Sequence, residues 1–338
     1  MEIKNLTYTP IYTNKISKVS TQINKTSCDT VSFRQKTKDK PFTQLSRKVS
    51  YRNPDKQYKI ISLPQGLQIA NNSFLLSERT PTIAMIDIFS DFGNIKIGNK
   101  VKAPHGNIVA KYAVNGLEDK VGLLAIDATP PKSGDENKAL KEALCDLSEL
   151  QRNLKNIFAL NLSVGQAFGY ETLNEKTNLN ITPENIEEKR EELLAFLQNS
   201  QDERLKDIYS MIQSINSLVE NGVVVYIASG NTCDNRIELL SLSKAQHIVS
   251  ASDYDKANKK FMTDSEAGRH TFEKIYDESG ELIELTDGKI KLEPDEFETK
   301  HHKKSFFSKF IKEEAHTIEG TSFSCPIKMN NDLKLSFK

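Results

Sequence analysis

The chain has 338 residues, of which 37% are hydrophobic and 27% are charged, so it has enough apolar side chains for the core of one large domain or two small ones. No apolar run approaches the roughly 18–20 residues that a membrane-spanning helix needs, which argues against a membrane span. The N-terminus lacks the apolar segment of a secretory signal, so we expect a cytoplasmic protein or export by a non-classical route.

Charge is unevenly distributed along the chain, although the net charge is zero. Residues 1–60 contain 13 Lys and Arg against 4 Asp and Glu, a balance of +9, so the remaining residues carry −9. A basic, polar segment of this kind is typical of a disordered tail. Docking of this segment on the acidic remainder of the chain is a second interpretation. Nucleic-acid binding is the weakest, because few aromatic side chains and no binding motif accompany the lysines, so no nucleic-acid partner is predicted.

The cysteines predict neither a zinc site nor a disulfide scaffold. Four cysteines in 338 residues are sparse, and none has CxxC spacing. We expect free thiols at all four positions, with the last two as small buried residues near the candidate site described below. The four are Cys28, Cys145, Cys233 and Cys325.

The first 76 residues differ in pattern from the rest of the chain. They are rich in Ser, Thr, Asn, Gln and Lys, and the apolar stretch Tyr58–Leu63 is the one strand predicted there. We therefore predict a basic, polar and disordered N-terminal segment over residues 1–76, followed by a folded domain over residues 77–338.

Beyond residue 81, apolar strands alternate with helical patterns. Five leucines at helical spacing predict the helix Lys138–Leu154. Thr182-Pro183 supplies the cap and the first-turn proline of a helix that reaches about Asn199. Asn221-Gly222 is typical of a helix end, here that of Leu205–Val219. Strands are predicted at Thr82–Phe89, Val121–Ile126, Ile157–Leu162, Val223–Ala228 and His247–Ala251.

This alternation predicts an α/β fold with a doubly wound, mostly parallel sheet and helices on both faces. The uniformly apolar run Val223–Ala228 is typical of a central parallel strand that is buried on both sides. Residues 271–292 instead alternate apolar and polar side chains around two turns that contain glycine, which predicts an antiparallel hairpin or meander. We interpret residues 172–204 as a helical insertion into the domain and residues 268–312 as a hairpin insertion.

Three polar segments follow predicted strands, and in open parallel sheets ligands bind beyond the carboxyl ends of the strands. Asp87 closes the first strand of the domain, Asn161–Gly165 closes another, and Ser229–Asn231 follows a third. Each segment alone is an ordinary turn at a strand end. Their shared position makes this edge of the sheet the candidate site.

Two further segments predict helix starts that carry reactive side chains. His105 precedes a glycine in the segment PHGNIVAKY. Ser322 follows Gly-Thr in the segment EGTSFSCP, shortly before Pro326, a residue that the first turn of a helix tolerates. A serine at a helix start lies beside free backbone N–H groups and the positive end of the helix dipole. That environment suits a nucleophile whose reaction generates an oxyanion.

In their order along the chain, these motifs resemble those of the subtilisin-like serine proteases, the subtilases or peptidase S8 family. The shared pattern is D-x-x-x-D after a strand, HGxxVA, NxSxG, SGN after a strand, and GTSxSxP, and it extends over about residues 82–326. GTSxSxP is the most specific of these motifs.

The resemblance implies a role for each matching residue. Asp87, His105 and Ser322 match the catalytic triad, in the Asp-His-Ser chain order of subtilisin. Ser322 would attack the peptide bond, His105 would take its proton, and Asp87 would orient the imidazole. Asn231 matches the side-chain donor of the oxyanion hole. The residues that match the main-chain contacts to substrate are Ser163, Val164, Gly165, Ser229 and Gly230.

The sequence also departs from the family pattern. Only 18 positions separate Asp87 from His105, which predicts a short connecting loop. Twelve residues follow Pro326, about 18 Å of helix, and we expect this short helix to leave part of the core uncovered. Four positions differ in residue type: glycine is replaced by Phe89 and by Lys111, and histidine is replaced by Ile108 and by Ile327.

The resulting hypothesis is a serine endopeptidase that acts on a protein or peptide substrate. The alternative is a catalytically inactive subtilase-like binding protein, and an unrelated α/β ligand-binding protein is a third interpretation. No cofactor is assigned: the family resemblance alone suggests calcium, and because no carboxylate loop is found, no metal site is predicted. The resemblance also suggests that the N-terminal segment acts as a pro-region, contacts the cleft through residues 1–60, and is cleaved by the enzyme itself between Lys36 and Glu78.

Overall fold

Strands and helices alternate along the folded part of the chain. The computed structural model describes residues 55–64, 67–70, 73–76, 81–97, 101–130, 136–182, 185–230, 236–249, 252–255, 260–263, 275–276, 282–284, 290–292, 316–318 and 320–337. The strands are β1 (Lys59–Ser62), β2 (Leu67–Ala70), β3 (Ser73–Leu76), β4 (Thr82–Asp87), β5 (Asn94–Ile97), β6 (Val101–Pro104), β7 (Gly122–Asp127), β8 (Ile157–Leu162), β9 (Ala167–Gly169), β10 (Val224–Ala228), β11 (Arg236–Glu238), β12 (His247–Val249), β13 (Ser252–Asp255), β14 (Lys260–Thr263), β15 (Ile275–Tyr276), β16 (Leu282–Glu284), β17 (Ile290–Leu292) and β18 (His316–Ile318). The helices are α1 (His105–Val114), α2 (Glu136–Leu154), α3 (Tyr170–Thr177), α4 (Arg190–Asn199), α5 (Glu203–Glu220) and α6 (Thr321–Ser336).

Six strands form a central sheet in the order β1-β7-β4-β8-β10-β12. The five strands from β7 to β12 run parallel to their neighbours, and β1 pairs antiparallel with the outer edge of β7. The predicted α/β fold with a mostly parallel sheet is therefore confirmed. The other described strands form two-stranded antiparallel pairs.

Helices cover both faces of the sheet, and successive residues of β4 point into two different cores. Ala84 and Ile86 belong to a core that includes residues of α2 and α5. Ile83 and Met85 belong to a second core that includes residues of α1 and α6. Because all of β4 is buried, its sequence TIAMID shows no alternation of apolar and polar residues before the final Asp.

The helix predicted from Thr182 begins later than expected, at Arg190. The side chain of Asn185 closes a turn before it, because its Oδ1 accepts a hydrogen bond from the amide of Thr182 at 2.8 Å and its Nδ2 donates to the carbonyl of Asn180 at 2.9 Å. Such local bonds compete with the helical ones. Pro183, part of the predicted start, lies outside the described residues.

The strand predicted at Tyr58–Leu63 is confirmed as β1. The residues just before β1 bind to α2, where Asp146 accepts hydrogen bonds from Lys56 Nζ at 2.9 Å and from the Tyr58 hydroxyl at 2.8 Å. Sequence analysis did not predict the antiparallel pair β2–β3. Residues 56–62 of the predicted N-terminal segment thus contact the domain, whereas residues 1–54 lie outside the described residues.

The hairpin predicted within residues 271–292 is present in part. Strands β15 and β16 pair antiparallel, as expected of a hairpin. The next strand, β17, pairs with β18, which lies beyond the predicted insertion at residues 268–312.

Helix α6 covers the core that a short C-terminal helix was expected to leave open. It is 16 residues long, and its residues Phe323, Met329 and Leu333 are buried in the core that includes α1. Among side chains that the structure describes, the exposed large hydrophobic ones are Phe92 and Leu335. None of the described helices combines the length and the apolar character needed to cross a membrane.

Candidate active site

A buried carboxylate meets a partly exposed imidazole at the carboxyl end of β4. Asp87 is the last residue of β4 and is fully buried, and His105 is the first residue of α1. Nδ1 of His105 lies 2.6 Å from Oδ1 of Asp87. In the neutral imidazole, donation of this hydrogen bond by Nδ1 leaves Nε2 with the lone pair. The side chain of His105 is 19% exposed, so solvent can reach the ring.

The environment makes the imidazole a stronger base. Burial lowers the pKa of His105, but the charge of Asp87 and the hydrogen bond to it raise the pKa above the ordinary value of 6.5 on balance. Oδ1 of Asp87 also accepts a hydrogen bond from the amide of Ile88 at 2.6 Å. Its other oxygen, Oδ2, is buried without a hydrogen-bond partner among the described residues.

The loop after Asp87 fixes the start of α1. The carbonyl of Ile88 accepts a hydrogen bond from the amide of Gly106 at 2.9 Å. A Cβ at Gly106 would lie 2.9 Å from the ring of Phe89, so this position has room for glycine alone unless the ring moves. Phe89, which departs from the family pattern, is thus packed directly against the residue that follows His105.

Asp127 is a site residue that sequence analysis missed. It ends β7 in register with Asp87 on the neighbouring strand, and it is 3% exposed. Its Oδ1 accepts hydrogen bonds from the amide of Phe89 at 3.0 Å and from the amide and hydroxyl of Thr129, the amide at 3.1 Å. Asp127 therefore holds the loop that positions His105. A signal was available, since the apolar run of β7 ends in Asp as that of β4 does.

Ser322 lies at the predicted helix start, as the second residue of α6. The ring centroids of its neighbour Phe323 and of His105 are 5.6 Å apart, which places this end of α6 beside the imidazole. The hydroxyl of Ser322 donates to the carbonyl of Ser163 at 3.2 Å. No hydrogen bond joins Ser322 to His105 within the part of the chain that the structure describes.

The main chain of Ser322 is held by a second set of hydrogen bonds. Oγ of Ser163 donates to the carbonyl of Ser322 at 2.9 Å and accepts from Nδ2 of Asn161, also at 2.9 Å. Pro326 is the sixth residue of α6, beyond the first turn in which it was expected. Because proline has no N–H, it leaves the carbonyl four residues earlier, that of Ser322, free to accept the bond from Ser163.

The first turn of α6 contains one amide that no acceptor among the described residues binds. The amides of Phe323 and Ser324 donate to the carbonyl of Gly320 at 3.0 and 3.2 Å. The amide of Ser322 has no acceptor among the described residues, and it lies at the positive end of the helix dipole.

Burial raises the pKa of the Cys325 thiol far above its usual range, so this cysteine is an inert, buried residue as expected.

The main-chain segment that follows β8 runs past Ser322. Ser163 is buried, Val164 is half-buried, and Gly165 is exposed. Ser163 contacts the candidate nucleophile through both its carbonyl and its hydroxyl. The segment Ser163–Gly165, which we call the edge segment, therefore begins next to the start of α6.

Glu238, at the end of β11, is the second residue that sequence analysis missed. Its carboxylate accepts hydrogen bonds from the amide of Gln166 at 2.5 Å and from that of Leu240 at 3.1 Å. Burial raises the pKa of Glu238 to about 7, against the effect of these two amides, which lower it. A Cβ at Gly165 would collide with Oε2 of Glu238. The signal was an acidic residue inside the apolar run RIELLSL.

The third strand end is described in part. Ser229 follows β10 and is buried, and its amide donates to the carbonyl of Val249 at 2.9 Å. Gly230 follows with a φ of 98°. Asn231 lies outside the described residues, so its role in an oxyanion hole stays a prediction.

Metal ligands and known relatives add no further identification. The described ranges contain no group of three or more His, Cys, Asp or Glu side chains that could hold a metal ion. No family model, no curated protein and no solved structure matches this chain. The function is therefore inferred from the sequence motifs and from the geometry of the site.

Proposed function

We propose that the protein is a serine endopeptidase with a subtilisin-like fold, in which Asp87, His105 and Ser322 form the catalytic triad. The observation that carries the proposal is the 2.6 Å contact between the buried Asp87 and His105 Nδ1, with the first turn of α6 packed against the same imidazole through Phe323. A mostly parallel sheet with helices on both faces is compatible with this fold.

In the proposed reaction, the hydroxyl of Ser322 turns from the carbonyl of Ser163 toward Nε2 of His105. Nε2 takes the proton as Oγ bonds to the carbonyl carbon of the substrate, and the peptide C–N bond breaks when the imidazolium passes that proton to the leaving amine. Water then hydrolyses the ester through the same base. Asp87 holds the imidazole in the required tautomer and stabilises its charged form.

The oxyanion would be stabilised by the amide of Ser322 and the side chain of Asn231. Free N–H groups at a helix start are preorganised for negative charge, and one such donor contributes about 10²–10³ in rate. An extended substrate would pair with the main chain of the edge segment, as peptides do when they add a strand to a sheet edge.

The second candidate function is an inactive peptide-binding protein with the same cleft. One observation favours it, namely that the hydroxyl of Ser322 bonds to the carbonyl of Ser163 at 3.2 Å instead of to His105. Catalytic hydrogen bonds are commonly loose in the absence of substrate, so we rank this candidate second.

A serine-directed fluorophosphonate probe distinguishes the two functions, because labelling requires an activated nucleophile and binding does not. We expect the full chain to be labelled and to hydrolyse casein. Ser322→Ala should abolish both activities. Ser324→Ala is the matched control, since its hydroxyl is buried and donates to the carbonyl of Thr321 in the same turn. It should keep both activities.

An unlabelled wild type would favour the binding protein. Equal labelling of the wild type and the Ser322→Ala variant would refute the assignment of the nucleophile.

A further inference from the structure

Gln166, the residue after the edge segment, is bonded to Glu238 at the end of β11 and to Leu239 in the 3₁₀ turn that follows. The carboxylate of Glu238 accepts the amide of Gln166 at 2.5 Å, and the carbonyl of Gln166 accepts the amide of Leu239 at 3.0 Å. The pairing continues into β9, where Ala167 lies opposite Glu238. Any displacement of Gln166, and with it of Gly165, would break these bonds.

The carboxylate performs a task that few side chains could share. One oxygen binds the amide of Gln166, and the other binds the amide of Leu240, at the start of a 3₁₀ turn. Both amides need an acceptor, and a carboxylate offers two without a donor of its own. Glu238 is 1% exposed and forms no ion pair with any residue that the structure describes. A buried carboxyl group without a cation beside it is unfavourable for stability once it ionises, so packing alone does not account for it.

The edge segment has few attachments of its own near its end. Val164 is half-buried, and Gly165 is exposed and has no side chain to anchor it. The absent Cβ is also what lets the Glu238 carboxylate approach the main chain at this point. The path of the segment beyond Ser163 is therefore set from β11.

We propose that Glu238 is a positioning residue that holds the edge segment in place to pair with an extended peptide. This inference rests on the proposed function, because it assigns the peptide-binding role to that segment. Glu238 acts on substrate binding, whereas attack by Ser322 depends on α6 and on His105, which Glu238 does not contact. Loss of the carboxylate should therefore weaken peptide binding and leave the nucleophile reactive.

The test compares Glu238→Gln and Glu238→Asp with the wild type. Gln places an amide donor opposite one main-chain amide, and Asp is one methylene too short to reach both. Casein hydrolysis should show a KM raised about tenfold, the effect of losing one charged hydrogen bond, with kcat nearly unchanged. The rate of fluorophosphonate labelling, which needs no peptide paired with the edge segment, should stay the same.

The matched control is Glu142→Gln on α2. That carboxylate also accepts a main-chain amide, from Gln57 at 2.7 Å, but it lies on an element that carries no candidate site residue. It should leave KM and the labelling rate unchanged. If both Glu238 variants keep the KM of the wild type, or lose labelling in parallel with KM, the positioning role is refuted.

A second measurement separates this inference from the proposed function. The affinity for fluorescein-labelled casein is measured on Ser322→Ala with and without Glu238→Gln, so that no turnover is required. We expect the second substitution to weaken binding about tenfold even if the wild type proves inactive toward the probe. Equal dissociation constants would refute the positioning role and leave the assignment of the nucleophile untouched.

Discussion

Glu238 should make the stability of the protein depend on pH. Burial raises the pKa of this side chain to about 7 in the folded protein, from an ordinary value of 4.5. Between these two pH values the folded protein keeps a proton that the unfolded chain has lost. By linkage, the free energy of unfolding falls as the pH rises through this range.

The size of the effect follows from the two pKa values. They differ by about 2.5 pH units, and each unit corresponds to about 1.36 kcal/mol, so the contribution of Glu238 to stability should fall by about 3 kcal/mol between about pH 4.5 and about pH 8. Because Glu238 is 1% exposed, solvent does little to screen this effect. Typical domains have stabilities of about 5–15 kcal/mol, so a loss of this size is measurable.

The assay is urea unfolding of the wild type and of Glu238→Gln across this pH range. Gln cannot ionise, so the stability of the wild type relative to the variant should fall by about 3 kcal/mol as the pH rises. His105 also titrates here, and because its pKa is raised in the folded protein, the stability it contributes is present below about 6.5 and lost as the pH rises through its folded pKa. That contribution is common to both proteins and cancels in the difference. Parallel pH profiles for the two proteins would refute the reasoning.

Three further substitutions test the site and its support. Asp87→Asn should lower kcat/KM by about 10⁴. It should also move the acidic limb of the pH–rate profile to lower pH, because the charge that raises the pKa of His105 is lost. An acidic limb that does not move would contradict this. Ser163→Ala keeps the main chain of the edge segment but removes the hydrogen bond to the carbonyl of Ser322. In casein hydrolysis, kcat should therefore fall about tenfold with little change in KM. A pure KM effect would argue against a role of Ser163 in holding Ser322. Asn330→Ala should lower the free energy of unfolding by about 1–3 kcal/mol, since Nδ2 donates to two main-chain carbonyls at the C-terminal end of α1. Urea unfolding measures this loss beside the neighbouring control Asn331→Ala. Equal losses in the two variants would mean that these bonds contribute nothing.

The parts of the site that local sequence determines could be predicted. The end of β4 at Asp87 and the starts of α1 and α6 follow from apolar runs and from residues that begin helices, and the structure places them as expected. The predicted start of a helix at Thr182 was wrong, because the side chain of Asn185, an equally local feature, closes a turn there. The cap and the proline at Thr182-Pro183 favour a helix, but they carry no information on this competing side-chain bond.

The supporting contacts could not be predicted because they join distant parts of the chain. Glu238 reaches the amide of Gln166 across 72 residues, and Ser163 reaches the carbonyl of Ser322 across 159. Which side chain occupies such a place is decided by how helices and strands pack, and no spacing rule encodes it. The buried carboxylate of Asp127 belongs to the same class, since its partner at Phe89 lies 38 residues away on another strand end.

The separation of site residues along the chain has a consequence for the order in which the site assembles. Asp87 and His105 are 18 residues apart, whereas the bonds between Asn330 and the end of α1 span 215 and 217 residues. Nearby segments meet with a small loss of chain entropy, and ribosomal synthesis delivers the N-terminal segments first. Asp87 and His105 can therefore pair while later segments are still being made, and α6 brings Ser322 beside them afterwards. If the protein is the proposed peptidase, hydrolysis begins only once α6 has docked on the sheet.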